Sequence, residues 1–240
     1  MNAPLLSPVR RDARARVSPR VLVRPISIES ARDLPSLRAA FAEAEEVALR
    51  QDFPGGDPDG PASGSIRMAW SGSELHFLAE LKDEHIHTRA KRLNEMVYLL
   101  GDCLEIFLKA PETPAYLEFH IAPNNVKLQL LFPSQAEFQR FRHWPESELI
   151  ARFALPRPAF TSQVWPDAGA QRWTVFASID LRLLLPAITT LARRELEFHF
   201  GRYDYPADGR EPVLSCTSAL SRLDFHHLEE WGRLVLCADS

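Results

Sequence analysis

The chain has 240 residues, 45% of them hydrophobic, enough for a core of ordinary size in one large all-β domain or two smaller ones. Its 28 basic and 32 acidic side chains leave a net charge of −4, so no general positive field exists to hold polyanions and nucleic acid is not an expected partner. No apolar run approaches the roughly 20 residues of a membrane helix, and three cysteines, an odd number, exclude a complete disulfide framework and suit a reducing compartment.

Residues 1–20 carry prolines and alternating arginines with almost no apolar pattern and read as a mobile arm before one domain spanning 21–240. They contain no apolar stretch of the kind a secretory signal uses, so the expected location is the cytoplasm, or outside it if the start site is misassigned. Val21-Leu22-Val23 is a short strand. From Asp33 to Arg50, Leu34, Leu37, Phe41, Ala44, Val47 and Ala48 recur at spacings of three and four, which predicts an amphipathic helix with Asp33 as its N-cap. Residues 52–65, rich in Gly, Pro and Asp, form a loop. Its Asp52, Asp57 and Asp59 lack the ligand periodicity of a dedicated calcium motif, so a solvated loop is favoured over a calcium cage.

Ile66, Met68 and Trp70 alternate with polar or small residues, Ser71-Gly72-Ser73 turns the chain, and 75–81 returns as a second strand. A long excursion over 82–101 contains His85-x-His87, which lacks a spaced third metal ligand. Asp102-Cys103-Leu104-Glu105-Ile106-Phe107-Leu108 then alternates at period two, the pattern of a strand with one buried face and one face carrying Glu105. Strands are expected at 102–109, 116–122 and 126–132, the last two joined by the turn Pro123-Asn124-Asn125. Regular alternation puts Glu105, Glu118 and His120 on the face opposite Leu104, Ile106, Phe119 and Ile121.

Residues 134–152 read as a short helix and loop on the rim, 172–179 as a strand, 181–191 as an apolar connection, 195–202 as a strand, and 234–236 as the closing strand. His226-His227 reads first as an anchor of the closing loop. No nucleophile elbow, phosphate loop or Gly-x-Gly-x-x-Gly is present. The fold class is all-β, an antiparallel β-sandwich of immunoglobulin-like or jelly-roll type with one or two short peripheral helices.

Several of these segments, in this order, resemble one known group. They are Asp102-x-x-Glu105 with Ile106-Phe107-Leu108, the strand Tyr116 to Ala122 with Pro123-Asn124, and Phe198-His199-Phe200-Gly201-Arg202 with the following Asp204. The ending adds Phe225-His226 and Trp231-Gly232-x-Leu234. The chain resembles carbohydrate-binding module family 9-like domains, DOMON-like β-sandwiches, from about residue 37 to 237.

The resemblance implies a noncatalytic protein that binds a mono- or oligosaccharide on one face, through Glu105, His120, His199, Arg202 and Tyr98. It implies a small saccharide or glycan as partner, no nucleic acid or membrane, and no cofactor, with calcium a lesser alternative. The expected stacking Trp before the Asp-x-x-Glu strand is absent; Tyr98-Leu99 stands there, and Arg202 takes the place of the second ring. Tyr98, Tyr203, Tyr205, Trp144 or Trp165 can supply aromatic faces from loops. A structural or protein-interaction module with a degenerate sugar site is the alternative, and a glycoside hydrolase using Glu105 and Glu118 comes after it.

Overall fold

Val21 and Val23 bury alternately in β1 (Arg20–Pro25), in the computed structural model of the chain, which describes residues 17–28, 33–184 and 194–238. Most of the expected arm and the connection at 185–191 lie outside the described residues. The expected helix over 33–50 is corrected: only α1 (Leu34–Ala40) is helical, and the chain then turns into a strand, β2 (Glu46–Leu49). Spacing in so short a run serves either state, and antiparallel pairing of Val47 with Ile66 decides it by carrying Val47 and Leu49 into the core. Asp33 holds the N-cap position, but its carboxylate accepts from the Ser36 hydroxyl at 2.8 Å and caps no backbone N–H.

The expected hairpin forms as β3 (Gly64–Ser71) and β4 (Glu74–Lys82), with Gly72 at φ 57° in the turn. Three antiparallel strands follow, β5 (Cys103–Lys109), β6 (Tyr116–Ile121) and β7 (Lys127–Phe132), and Asn125 supplies the left-handed residue, φ 65°, between the last two. Two helices, α2 (Gln135–Phe141) and α3 (Glu146–Phe153), occupy the segment expected to hold one. Ser134 caps α2 by accepting the Glu137 N–H at 3.2 Å, while Glu146 and Glu148 open α3 and Arg152 closes it, as the helix dipole favours.

An unforeseen strand, β8 (Phe160–Asp167), pairs with β9 (Arg172–Asp180); its Pro166 and mostly half-exposed side chains suit the edge it occupies. The chain ends through β10 (Glu195–Asp204), β11 (Val213–Cys216) and β12 (Gly232–Leu236). The strand order is β7-β6-β5-β10-β12-β1-β3-β4-β9-β8, with β11 attached to β10 and β2 to β3.

Every pairing is antiparallel except at β1, which runs parallel to β12 through Arg20–Val23 and to β3 through Arg24 and Pro25. The expected wholly antiparallel sandwich is thus corrected to a mixed, curled sheet. β1 has no hairpin partner, and both its neighbours lie far along the chain, which is the condition under which parallel pairing is open to it.

The sheet curls around one apolar core that takes Phe77, Trp173 and Val175 from one half and Ile106, Phe119 and Phe200 from the other. Phe77 meets Phe200 edge-on at 5.3 Å. The other face of β5, β6, β7 and β10 carries a second core of Phe107, Tyr116 and Phe132 beneath α2, α3 and the segment around Phe225 and Trp231. α1 covers a smaller cluster with Leu37, Phe41 and Phe176. All six residues of β6 are therefore buried, and the expected solvent-facing side of β5 and β6 is covered. Among the described residues no helix is long and apolar enough to cross a membrane.

Candidate functional site

Side chains on the covered face follow from strand register. Leu104, Ile106, Phe119 and Ile121 point into the central core, so Cys103, Glu105, Glu118 and His120 point to the opposite side, with Glu105 directly across from His120 on β6 and from Gly201 on β10. The glycine leaves space above Glu105, and a Cβ there would lie 2.5 Å from the Phe225 ring.

Between this face and its roof lies a cavity of about 380 Å³. Glu105 and Glu118 form its floor, Tyr98 and Tyr203 one wall, and Phe138, Arg142, Asp224, Phe225 and His226 the roof and rim. Its volume falls in the ~300–1,000 Å³ range of small-molecule sites. A depression of about 800 Å³ beside Asp83, Asp204 and Tyr205 is larger, but it offers no aromatic face besides Tyr205.

The floor is a buried charge network. His120 Nε2 donates to Glu118 Oε1 at 2.6 Å and lies 3.3 Å from Glu105 Oε1. Glu118 Oε2 has no hydrogen-bond partner; His226 Nε2 stands 3.5 Å away, within ion-pair reach but outside bonding geometry. Burial, with the Glu118 charge adding and His120 opposing, pushes the Glu105 carboxyl up to about 8. Burial alone would lower His120, but Glu105 and the neighbouring Cys103 and Glu118 hold it well above an ordinary imidazole.

The roof is fixed as firmly. The His226 ring stacks on Phe138 at 3.5 Å, its Nδ1 meets the Tyr116 hydroxyl at 2.9 Å, and its carbonyl accepts from Gln135 Nε2 at 2.8 Å. Arg142 sits over the Phe138 ring, 3.8 Å from Asp224. Asp102 accepts the backbone N–H groups of His87 and of Tyr205 (2.8 Å for the latter), tying the excursion that carries Tyr98 to the end of β10, which carries Tyr203. Burial raises Asp102 to about 7.

Of the five residues expected to share one site, the structure brings three together. Glu105 and Tyr98 line the cavity, and His120 lies between the carboxylates with its ring 5.8 Å from Tyr98. His199 is on the same sheet face but away from the cavity: its Nδ1 meets the Ser218 hydroxyl at 2.8 Å, and its ring lies parallel to Trp231. Arg202 points to the opposite face, fully buried, where it meets Asp83 at 3.3 Å, Asp204 at 3.1 Å and the Ser63 carbonyl at 2.7 Å. Register requires this, since Arg202 pairs with Leu104 and not with Glu105.

Among the candidate rings, Tyr98 and Tyr203 face the cavity and Tyr205 supports Tyr98 by donating to its carbonyl. Trp144 stands outside against Phe141, and Trp165 packs with the α1 cluster. Phe138, Arg142 and His226 were not foreseen as lining residues. Only His226 had a signal, its place in the closing Phe225-His226 segment; the others approach through the packing of α2 onto β7.

No protein-family model matches the sequence, and no curated protein matches it. Solved structures do. A protein from Bacteroides uniformis, provisionally described as carbohydrate-binding, superposes with a TM-score of 0.66 at 16% identity over 91% of this chain and 99% of its own. A carbohydrate-binding module of family 9 from Caldicellulosiruptor kristjanssonii in complex with glucose gives 0.61 at 16% identity over 92% and 97%, and the same module with cellotriose gives 0.61 at 15% over 92% and 95%. The fold is the one these structures share, a curled, mixed β-sheet, and the likeness to the family 9 module is a likeness of fold at these identities.

Proposed function

We propose that the chain binds a mono- or short oligosaccharide, without chemical change, in the cavity floored by Glu105 and Glu118. One observation carries this: a carboxylate oxygen, Glu118 Oε2, is buried without a hydrogen-bond partner at the base of a cavity walled by Tyr98, Tyr203 and Phe225. A pyranose presents an apolar C–H face to such rings and hydroxyl donors to such an acceptor. The likeness to modules solved with glucose and cellotriose supports the same ligand class. Glu118 accepts a sugar hydroxyl, Tyr98 and Tyr203 pack on the ring, Arg142 donates at the rim, and His120 holds both carboxylates in place.

Binding is favoured over hydrolysis because both carboxylates approach a single ring nitrogen of His120 from the floor. They sit side by side beneath a ligand and do not face each other across a scissile bond.

Isothermal titration with neutral mono- and disaccharides tests the proposal. Glu118→Gln should weaken binding about 10- to 100-fold, the loss of one charged hydrogen bond. Absence of heat with every sugar, from protein shown to be folded, overturns it. The alternative of a closed, degenerate face has one observation in its favour, the near-complete burial of Glu105 and His120, at 4% and 0% exposure. The same titration separates the two.

A further inference from the structure

Two clusters of metal-type side chains occur among the described residues: Cys103 with Glu105 and His120, and Asp83 with Asp102 and Asp204. The second already contains its cation. Arg202 lies against Asp83 and Asp204, and backbone N–H groups fill Asp102. Neither the aspartates of the 52–59 loop nor the pair His85 and His87 forms such a cluster.

The first cluster is different in kind. Cys103, Glu105 and His120 each bring one donor atom, and the three lie within 4.8 Å of one another. His120 Nε2 lies 2.6 Å from Glu118 Oε1, a carboxylate oxygen that only accepts when ionised, so this nitrogen carries the proton. Nδ1 is left as the second ring donor, completely buried and without a partner. The Cys103 thiol is close enough to interact with the same ring, yet Nδ1 has no partner in hydrogen-bonding geometry. An imidazole that gives Nε2–H to Glu118 and leaves Nδ1 without a partner, in one cluster with a thiol and a second carboxylate, has the arrangement of a metal ligand with its supporting acid once the metal takes the place of the Nδ1 proton.

We propose that Cys103, Glu105 and His120 bind a zinc ion, with Glu118 orienting His120 from behind and the fourth position open to the cavity. A sulfur, a nitrogen and an oxygen make a borderline-soft donor set that suits zinc and disfavours calcium or magnesium, which want oxygen throughout. The cavity reaches Glu105 and provides the entry path. A water or a ligand hydroxyl completes the tetrahedron. This site goes beyond sugar binding and forms whether or not a sugar is present.

Cobalt(II) and zinc are the probes, applied to tag-free full-length protein stripped with a chelator and desalted, with no sugar added. One cobalt per chain should bind and give a thiolate-to-cobalt charge-transfer band in the near ultraviolet, which zinc then displaces. Cys103→Ser should abolish the band while circular dichroism reports the native fold, and Cys237→Ser, at the half-exposed cysteine, should leave it intact. Glu118→Gln should lower zinc affinity 10- to 100-fold while keeping the charge-transfer band.

Where Cys103→Ser fails to fold, Glu105→Gln replaces it and must weaken binding by at least 10-fold. Folded wild-type protein that takes up no cobalt or zinc, or a band that persists in Cys103→Ser and vanishes in Cys237→Ser, overturns the site. Sugar titration of the stripped protein is a separate experiment, so either proposal can fail without the other.

Discussion

Replacing Arg202 with Met measures what the buried guanidinium does. The side chain has no solvent exposure and makes three polar contacts, to Asp83, Asp204 and the Ser63 carbonyl. Met fills much of the volume but leaves Asp83 fully buried, held only by Trp173 Nε1 at 3.0 Å and the His85 N–H at 2.9 Å. Burial already raises the Asp204 carboxyl, with Arg202 opposing, so removing the cation takes away its restraint. Breaking a buried pair in this way costs about 3–5 kcal/mol, a large part of a typical ~5–15 kcal/mol stability.

Urea melts should show the midpoint falling by roughly 1–3 M. Arg202→Lys, which keeps the charge but loses the fork, should fall between. Because the guanidinium lies on the sheet face opposite the cavity, saccharide affinity should stay within about 2-fold of wild type in buffer where the variant is folded. A variant of near-native stability that has lost sugar binding would refute the assignment of Arg202 to the fold.

Two further perturbations probe the side of the sheet away from the central core, one in each half. His76 is buried between the Ser71 and Ser178 hydroxyls at 2.7 Å each, and burial lowers it to about 4. The unfolded chain therefore takes up this proton first, so the contribution is fully present above pH 6.5 and is lost as pH falls towards 4. The stability difference between wild type and His76→Gln should change by about 1 kcal/mol per pH unit across that window in paired urea melts, free of the opposing shifts at Glu105 and Asp102. Gly201→Ala places a methyl 2.5 Å from the Phe225 ring and should cost about 1–3 kcal/mol while narrowing the cavity, read as a lower thermal midpoint together with weaker sugar binding.

Strand positions were legible where alternation and turn residues agree. β3 and β4 about Gly72, and β5 to β7 with Asn125, fall close to where the sequence puts them. The face shared by Glu105, Glu118 and His120 was legible for the same reason. Two features were not. The helical spacing of Leu34 to Ala48 hid β2, because four residues carry too little periodicity to compete with sheet pairing. Arg202 was placed with Glu105 by its position in a motif, whereas cross-strand register, which no single strand encodes, turns it to the other side.

The covering of the second sheet face was the larger omission, and it changes what the acidic residues mean. On an open face Glu105 and Glu118 would be ordinary solvated strand residues, costing nothing and indicating little. Under α2, α3 and the Phe225 segment they are desolvated, at a cost of several kcal/mol for an ionised group. His120 offsets part of that cost through one nitrogen, and a pair of apolar side chains would pack there without it. Of the uncompensated remainder, the Glu118 carboxylate oxygen stands where the cavity meets the sheet and the His120 nitrogen lies buried in the same cluster, so a bound hydroxyl or cation would recover free energy that the fold alone forgoes.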